Sequence, residues 1–474
     1  MNSKLLPSTV LAVFISLVIL LIYCLSSIYV DENSGVAYFF VFLSVLVVSI
    51  LIVVRGGLSV FEPITWFYLM SSLFYVFAGI ICFYGFDFLY HDNFSNRPDR
   101  YSLLFDAIFV FTIGVIGYWV GDYFAGLYRY AEAKGEVTCV FSNRSLLFLG
   151  GVSIAVGIFN YILNAYMYGG GDLLLLLKDF GARDHRAEDV SFYSTFGYNF
   201  IVVGLFFLML RRVAYFGSIG VLYKIIFVLG LCILLSTGRI WYSISLFFVF
   251  LALAHFSGLT VSYKRLAKYS VLFLLFIISV YFLRYYSNLL YIGKEGSFDA
   301  EIGNDFLTGF LVFIFGRSNV PSVPILMEVV HYYSETQDFY LGKTFFYWLS
   351  YFVPGYDVIF LGHEIKENFY PGRPGGFPPT FFGELFANGG IPFVVVFSIV
   401  AGFIFRTFYL YARGRGSFLV YFVYSSILFR FIFMLPKLEL SAFGSAVWLF
   451  LPTFVVCSLI YLVYRVGRPG MAKK

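Results

Sequence analysis

Residues Tyr101–Tyr128 read YSLLFDAIFVFTIGVIGYWVGDYFAGLY, with Asp106 and Asp122 as the only charges. A helix that crosses the hydrocarbon core of a bilayer needs about 20 predominantly apolar residues, and this run exceeds that length. Comparable runs recur at 9–30, 36–54, 60–85, 145–167, 193–210, 218–236, 240–256, 268–285, 391–411, 417–435 and 442–464. The sequence therefore predicts an all-α, polytopic membrane protein with about 12 transmembrane helices. Composition agrees: 60% of the 474 residues are hydrophobic and 12% charged, against about 25% charged in a typical soluble domain. The spans leave no room for a separate soluble domain, and residues 1–474 read as a single integral membrane domain.

The connections between spans alternate between basic and acidic or mixed. If the first residue lies inside, then Arg55, the stretch Arg129–Arg144, Arg211 with Arg212, Lys264 with Arg265, Arg413 with Arg415 and the tail Arg465–Lys474 all fall on that same side. That is the bias expected of cytoplasmic loops, and both termini are expected there. The net charge of +5 is thus a topological signal, and nucleic acid is not an expected partner. The segment Leu11–Val30 behind Lys4 is long and lacks a small-x-small cleavage pattern, so it is expected to be retained as a span. The five cysteines form no CxxC pair, which gives no support to a disulfide framework or a thiolate metal site.

This topology leaves two long connections outside, residues 168–192 and 286–390. Structureless stretches longer than about 15 residues are uncommon unless functional. The second connection also contains apolar runs too short to span, Phe306–Phe315 and Thr344–Val353, which are expected to form interfacial or re-entrant helices. With 62 Phe and 39 Tyr the chain is rich in residues that anchor at headgroup level; lipid contact is the expected role of most of these rings and sugar stacking that of a minority.

Candidate chemistry concentrates in these outer segments. The cluster Arg183-Asp184-His185-Arg186 suits an anionic ligand, although mixed charges also make an ordinary solvated loop. Ser236-Thr237-Gly238-Arg239 is a tight turn that places one Arg at the membrane surface, either to snorkel or to grip phosphate through its planar fork of donors. Arg284, Arg317 and Arg430 are embedded in apolar sequence, where a charge costs several kcal/mol unless paired or hydrated. They fit either a diphosphate site or pairing with Glu328, Asp357 or Glu439. The segment from Pro371 to Gly390, PGRPGGFPPTFFGELFANGG, stands apart in composition. Its Pro and Gly residues force a defined non-helical backbone around Arg373, and Thr380 is placed to start a helix that carries Glu384 inward. A buried Glu384 suits a general base or a structural carboxylate, and His185 and His363 are rival bases. There is no P-loop, no HExxH and no dinucleotide-binding glycine fingerprint, which disfavours direct use of nucleotide energy.

From Arg183 onward these residues resemble the Wzy-type O-antigen and oligosaccharide repeat unit polymerases. The resemblance rests on the Arg-bearing loop, Thr237-Gly238-Arg239, Arg284-Tyr285, Arg317, the stretch Tyr340–Pro354, and above all Pro379-Thr380-x-x-Gly383 with Gly389-Gly390. A family pattern of Arg, ten residues and Gly fits Arg186 to Gly197; Arg373 to Gly383 is one residue shorter, and Lys437-Leu438-Glu439 stands where Arg-Glu is expected. The resemblance implies a GT-C-like glycosyltransferase of the bacterial inner membrane with its site facing the periplasm. It implies transfer of a growing glycan from undecaprenyl diphosphate to the non-reducing end of a second lipid-linked repeat unit. The reaction would be inverting, with no cofactor and no metal, alongside a chain-length co-polymerase. Glu384, His185 and Arg317 would then be catalytic, with Arg183, Arg186, Arg239, Arg284, Arg373, Tyr340 and Thr380 binding diphosphate and glycan. Two alternatives share the composition: an O-antigen ligase that transfers the glycan to lipid A core, and a lipid-linked oligosaccharide flippase. The roughly 100-residue outer connection argues against a flippase, whose folds favour short loops.

Overall fold

The computed structural model describes residues 62–77, 99–127, 141–169, 197–216, 220–236, 322–351, 360–369, 377–415 and 435–440, with isolated positions elsewhere. In chain order these hold α1 (Pro63–Ser71), which runs into a π-helical turn (Ser72–Phe77), then α2 (Arg100–Gly126), α3 (Asn143–Gly169), α4 (Asn199–Phe216) and α5 (Val221–Ser236). They continue with α6 (Ser322–Thr336), a 3₁₀ segment (Lys343–Tyr351), α7 (Leu361–Phe369) and α8 (Thr380–Arg415). No strand occurs among the described residues.

Four helices are long and apolar enough to cross a membrane: Ser102–Gly126, Asn143–Leu163, Asn199–Phe216 and Thr380–Gly414. They match expected spans to within several residues; the last is made of two helical stretches that meet at a kink at Gly389-Gly390, and the second of them is the span expected at 391–411. The expected span at 218–236 is the shorter apolar helix Val221–Leu234. Those expected at 9–30, 36–54, 240–256, 268–285, 417–435 and 442–464 fall largely outside the described residues, as do residues 78–85 of the span expected at 60–85. Thr344–Val353, expected to be helical without spanning, coincides with the 3₁₀ segment.

The described residues fall into two compact units. The first draws on Met1–Tyr130, Ile302–Tyr411 and Phe431–Gly444. Within it, α2 and α8 approach so closely that a Cβ on Gly121 would lie 1.9 Å from the Ile399 carbonyl oxygen, and one on Gly402 would lie 2.0 Å from that of Tyr118. Hydrophobic burial does not drive association between helices in lipid, so small residues that admit close backbone packing supply the contact instead. Further along α2, the Phe382 ring occupies the space that a Cβ on Gly114 would need, at 2.3 Å. Phe382 is also the centre of an aromatic cluster, with ring centroids 5.4 Å from Tyr75, 5.6 Å from Phe111 and 6.1 Å from Phe67. Phe67 in turn stacks on Tyr118 at 3.7 Å. Each such pair contributes about 0.5–1.5 kcal/mol beyond its buried area, so the first turn of α8 is anchored firmly.

The second unit draws on Ala131–Glu301, Ala412–Arg430 and Ser445–Lys474. Here α3 and α4 cross through Gly150, Gly157 and Gly204, where a Cβ on Gly157 would meet Ile201 at 2.4 Å and one on Gly204 the Gly150 oxygen at 2.9 Å. The basic pair near the end of α4 is satisfied locally. Arg211 donates through Nε to Asn143 Oδ1 at 2.6 Å and also to the Tyr223 hydroxyl, while Arg212 lies 4.5 Å from the Phe216 ring centroid.

Candidate functional site

The Pro-Pro-Thr sequence before α8 sets the site. Proline favours an extended residue before it and cannot donate a backbone bond, so the chain reaches Thr380 unwound. Thr380 takes φ of 69°, and its Oγ1 accepts the Gly383 N–H at 3.2 Å, which satisfies one of the donors a helix start leaves unpaired. A β-branched residue is rare in that left-handed region, at a cost of about 1–3 kcal/mol. The cost is offset by complete burial, by this cap and by contact with the Tyr75 hydroxyl, which also donates to the Pro436 carbonyl at 2.8 Å.

One turn later Glu384 is 1% exposed and both of its carboxylate oxygens are engaged. Oε1 accepts the Thr344 hydroxyl at 2.7 Å, and Oε2 accepts the Leu440 N–H. Asn388, four residues on and hence on the same helix face, is fully buried and extends the network. Its Nδ2 donates to Thr344 Oγ1 at 2.6 Å and to the Glu384 carbonyl at 2.7 Å, and its Oδ1 accepts the Gly342 N–H at 2.9 Å. Two backbone bonds run alongside, Tyr340 N–H to the Ala387 carbonyl at 3.0 Å and Leu341 N–H to that of Asn388 at 2.9 Å. Glu384 and Asn388 thus join three segments far apart in sequence: the first turns of α8, the strip 340–344 and the turn at 436–440. Glu439 lies close enough for its charge to reach Glu384, and its Oε2 accepts the Gly362 N–H at 3.2 Å.

Immediately beyond Asn388 the helix breaks. Gly390 has φ of 65° and ψ of −153°, which only glycine adopts without strain, and a Cβ on Gly389 would lie 2.1 Å from the Phe393 ring. Among the described residues the non-glycine positions with positive φ are Gln337, which closes the end of α6, and Leu341 and Thr380, which adjoin this network. Strain of this kind persists only where the surroundings over-determine it, and it gathers at ligand clamps and active sites.

A second polar group lies on the strip 340–344. Tyr340 donates its hydroxyl to Glu364 Oε2 on α7, and the Tyr333 and Tyr340 hydroxyls also bond to one another. Burial pushes the Tyr340 phenol up, and its hydrogen bond to Glu364 pushes it the same way, so it remains a donor throughout the physiological range. Helix α7 buries Leu361, Gly362 and Ile365 and exposes His363 and Glu367. The Phe377 N–H binds the Gly362 carbonyl at 2.9 Å and ties the start of α7 to the segment leading into α8.

Of the residues singled out in the sequence, Glu384, Thr380 and Tyr340 lie in this one region of the first unit. Arg183, His185, Arg186, Arg239, Arg284, Arg317 and Arg373 lie outside the described residues, as do Arg430 and Asp357. His363 is an exposed residue in the first turn of α7, its backbone N–H bonded to the Phe360 carbonyl at 2.8 Å. Lys437 sits 5.7 Å from the Phe74 ring centroid. The sequence reading gave no role to Asn388, Thr344 or Glu364. Asn388 was legible from its i, i+4 relation to Glu384, whereas Thr344 carries no local signal because its partner is forty residues away. Among the described residues no three of His, Cys, Asp and Glu gather closely enough to hold a metal ion.

Comparison with protein-family models, curated proteins and solved structures finds no match to this chain.

Proposed function

We propose that this chain is a membrane glycosyltransferase that polymerises lipid-linked oligosaccharide repeat units at the periplasmic face of a bacterial inner membrane. A growing glycan on undecaprenyl diphosphate moves to the non-reducing end of a second lipid-linked unit. The acceptor hydroxyl oxygen bonds to the anomeric carbon, the bond from that carbon to the diphosphate oxygen breaks, and undecaprenyl diphosphate leaves with the electron pair. Attack opposite the leaving group inverts the anomeric centre. Because the donor is already activated, the chief electrostatic task is to stabilise the charge that builds on the diphosphate. Arg239, Arg284 and Arg317 are assigned to that task, and Arg183, Arg186 and Arg373 to the donor and acceptor channels.

The observation that carries the reading is a coincidence of place. Pro379-Thr380-x-x-Gly383 with Gly389-Gly390 is the most specific element of the resemblance to repeat unit polymerases. The same stretch holds the buried Glu384–Thr344–Asn388 network and the strained backbone at Thr380 and Leu341. A rigid polar joint at the start of a long apolar helix would hold nearby loops still enough to orient two large lipid-linked substrates, and orientation is a main source of rate in such transfers.

The test is made in cells that depend on this chain for polymer. Arg239→Ala and Arg317→Ala abolish long glycan and leave single repeat units on the final acceptor. Normal chain-length ladders from both variants contradict the assignment.

A further inference from the structure

We infer that Glu364, oriented by Tyr340, is the base that takes the proton from the attacking sugar hydroxyl; this rests on the polymerase reading above and names the acceptor side of that site. The requirement for such a base is geometric first. Its carboxylate must be fixed, must keep a lone pair free, and must lie where a large glycan can reach it.

Glu384 does not meet these conditions in the described structure. Both of its oxygens hold donors and the residue is buried, which makes it a joint. Glu364 does meet them. It is only partly buried, on a helix that is not among those long and apolar enough to cross the membrane. Tyr340 occupies Oε2, and among the described residues no second donor and no cation meets the group. The nature of the partner matters. A neutral phenol fixes the geometry of the carboxylate without neutralising its charge in the way a bound Arg or Lys would. Because the phenol keeps its proton, it does not compete with the substrate as an acid.

The frame that carries the pair is rigid on both sides. Tyr340 is bound to α8 through its own N–H to Ala387, and Leu341 through its N–H to Asn388. On the other side α7 is fixed at Gly362, which donates to Glu439 and accepts from Phe377. The carboxylate is therefore set relative to the Glu384–Asn388 joint within a few bonded contacts, as a preorganised base requires. Rings surround it. Tyr333 and Tyr347 lie 6.0 and 6.5 Å from Tyr340, and Tyr332 meets Phe369 of α7 edge-on at 5.7 Å. Tyr332, Tyr347 and Phe369 are partly exposed, so these neighbouring elements offer ring surface for the C–H face of a sugar. In the step itself the acceptor oxygen bonds to the anomeric carbon, its proton passes to Glu364 Oε1, and undecaprenyl diphosphate departs.

The experiment uses the full chain in proteoliposomes with a synthetic polyprenyl-diphosphate-linked repeat unit, and it follows initial rates of elongation. The unaltered protein elongates, Glu364→Gln lowers kcat by about 10²–10⁴-fold with KM within about threefold, and Tyr340→Phe lowers kcat by about tenfold. Glu364→Ala regains rate when formate is supplied, which a merely misfolded protein does not. A Glu364→Gln enzyme within threefold of the parent kcat overturns the inference, as does a loss confined to KM or a folded Glu364→Ala protein that formate does not restore. A parent protein that elongates nothing overturns the polymerase reading instead, independently of any variant.

Discussion

Replacing Asn388 with alanine removes three hydrogen bonds at once. Two of them, to Thr344 Oγ1 at 2.6 Å and from Gly342 N–H at 2.9 Å, join α8 to the strip 340–344; the third returns to the Glu384 carbonyl at 2.7 Å. Each contributes about 0.5–1.5 kcal/mol net, and leaving the Gly342 N–H without an acceptor costs about 1–3 kcal/mol. The backbone bonds Tyr340 to Ala387 and Leu341 to Asn388 survive the change and limit the loss. The expected destabilisation is about 2–4 kcal/mol, with Thr344→Ala costing about 1–3 kcal/mol through its bond to Glu384. If Thr344 links Asn388 to Glu384 as one network, the double variant is less damaging than the sum of the two by about 1 kcal/mol. Unfolding in mixed detergent micelles, followed by tryptophan fluorescence, measures all three. Trp348, one of five tryptophans, sits in the adjoining 3₁₀ segment with its ring 6.2 Å from Phe443, and following it alone, with the other four replaced by Phe, makes the report local. Single changes that each cost less than about 0.5 kcal/mol, or strict additivity within about 0.3 kcal/mol, would refute the reasoning.

Other consequences follow from the helix contacts. Gly121→Leu forces α2 away from the Ile399 carbonyl and costs at least about 1–3 kcal/mol, read as a lower midpoint in the same unfolding assay; an unchanged midpoint means the two helices do not cross at Gly121. Phe382→Ala empties the centre of the aromatic cluster and costs about 3–5 kcal/mol, whereas Phe382→Leu costs less than half as much. Gly390→Ala places a Cβ where φ is 65° and ψ is −153°, which costs about 1–3 kcal/mol and lowers elongation by misdirecting Asn388; full activity would show that the break at Gly389-Gly390 is dispensable.

The sequence made the long apolar helices legible because their signal is local. A run of more than 20 apolar residues such as Ser102–Gly126 has few alternatives to a helix that crosses a membrane. The start of α8 at Thr380 and the inward placement of Glu384 were also legible, since Pro-Pro-Thr marks a helix start and Glu384 lies one turn further along. Two features were out of reach. That Thr344 and Leu440 would hold Glu384 depends on contacts across 40 and 56 positions, for which no periodicity gives a sign. The expected start of a span at residue 391 corresponds to the kink at Gly389-Gly390, where the backbone turns non-helical between two helical stretches of Thr380–Arg415. The Tyr340–Glu364 pair escaped for another reason. Glu364 lies in a short helix of mixed composition, LGHEIKENF, that reads as an ordinary solvated segment until its partner is known.

Purified protein reconstituted with undecaprenyl-diphosphate-linked repeat units, and no other protein or nucleotide, gives the most direct measurement of the central claim. Separation of the lipid-released glycans by size shows a ladder with one repeat unit per step if the chain is a polymerase. Glycans that stay at a single repeat unit at every protein concentration contradict that account.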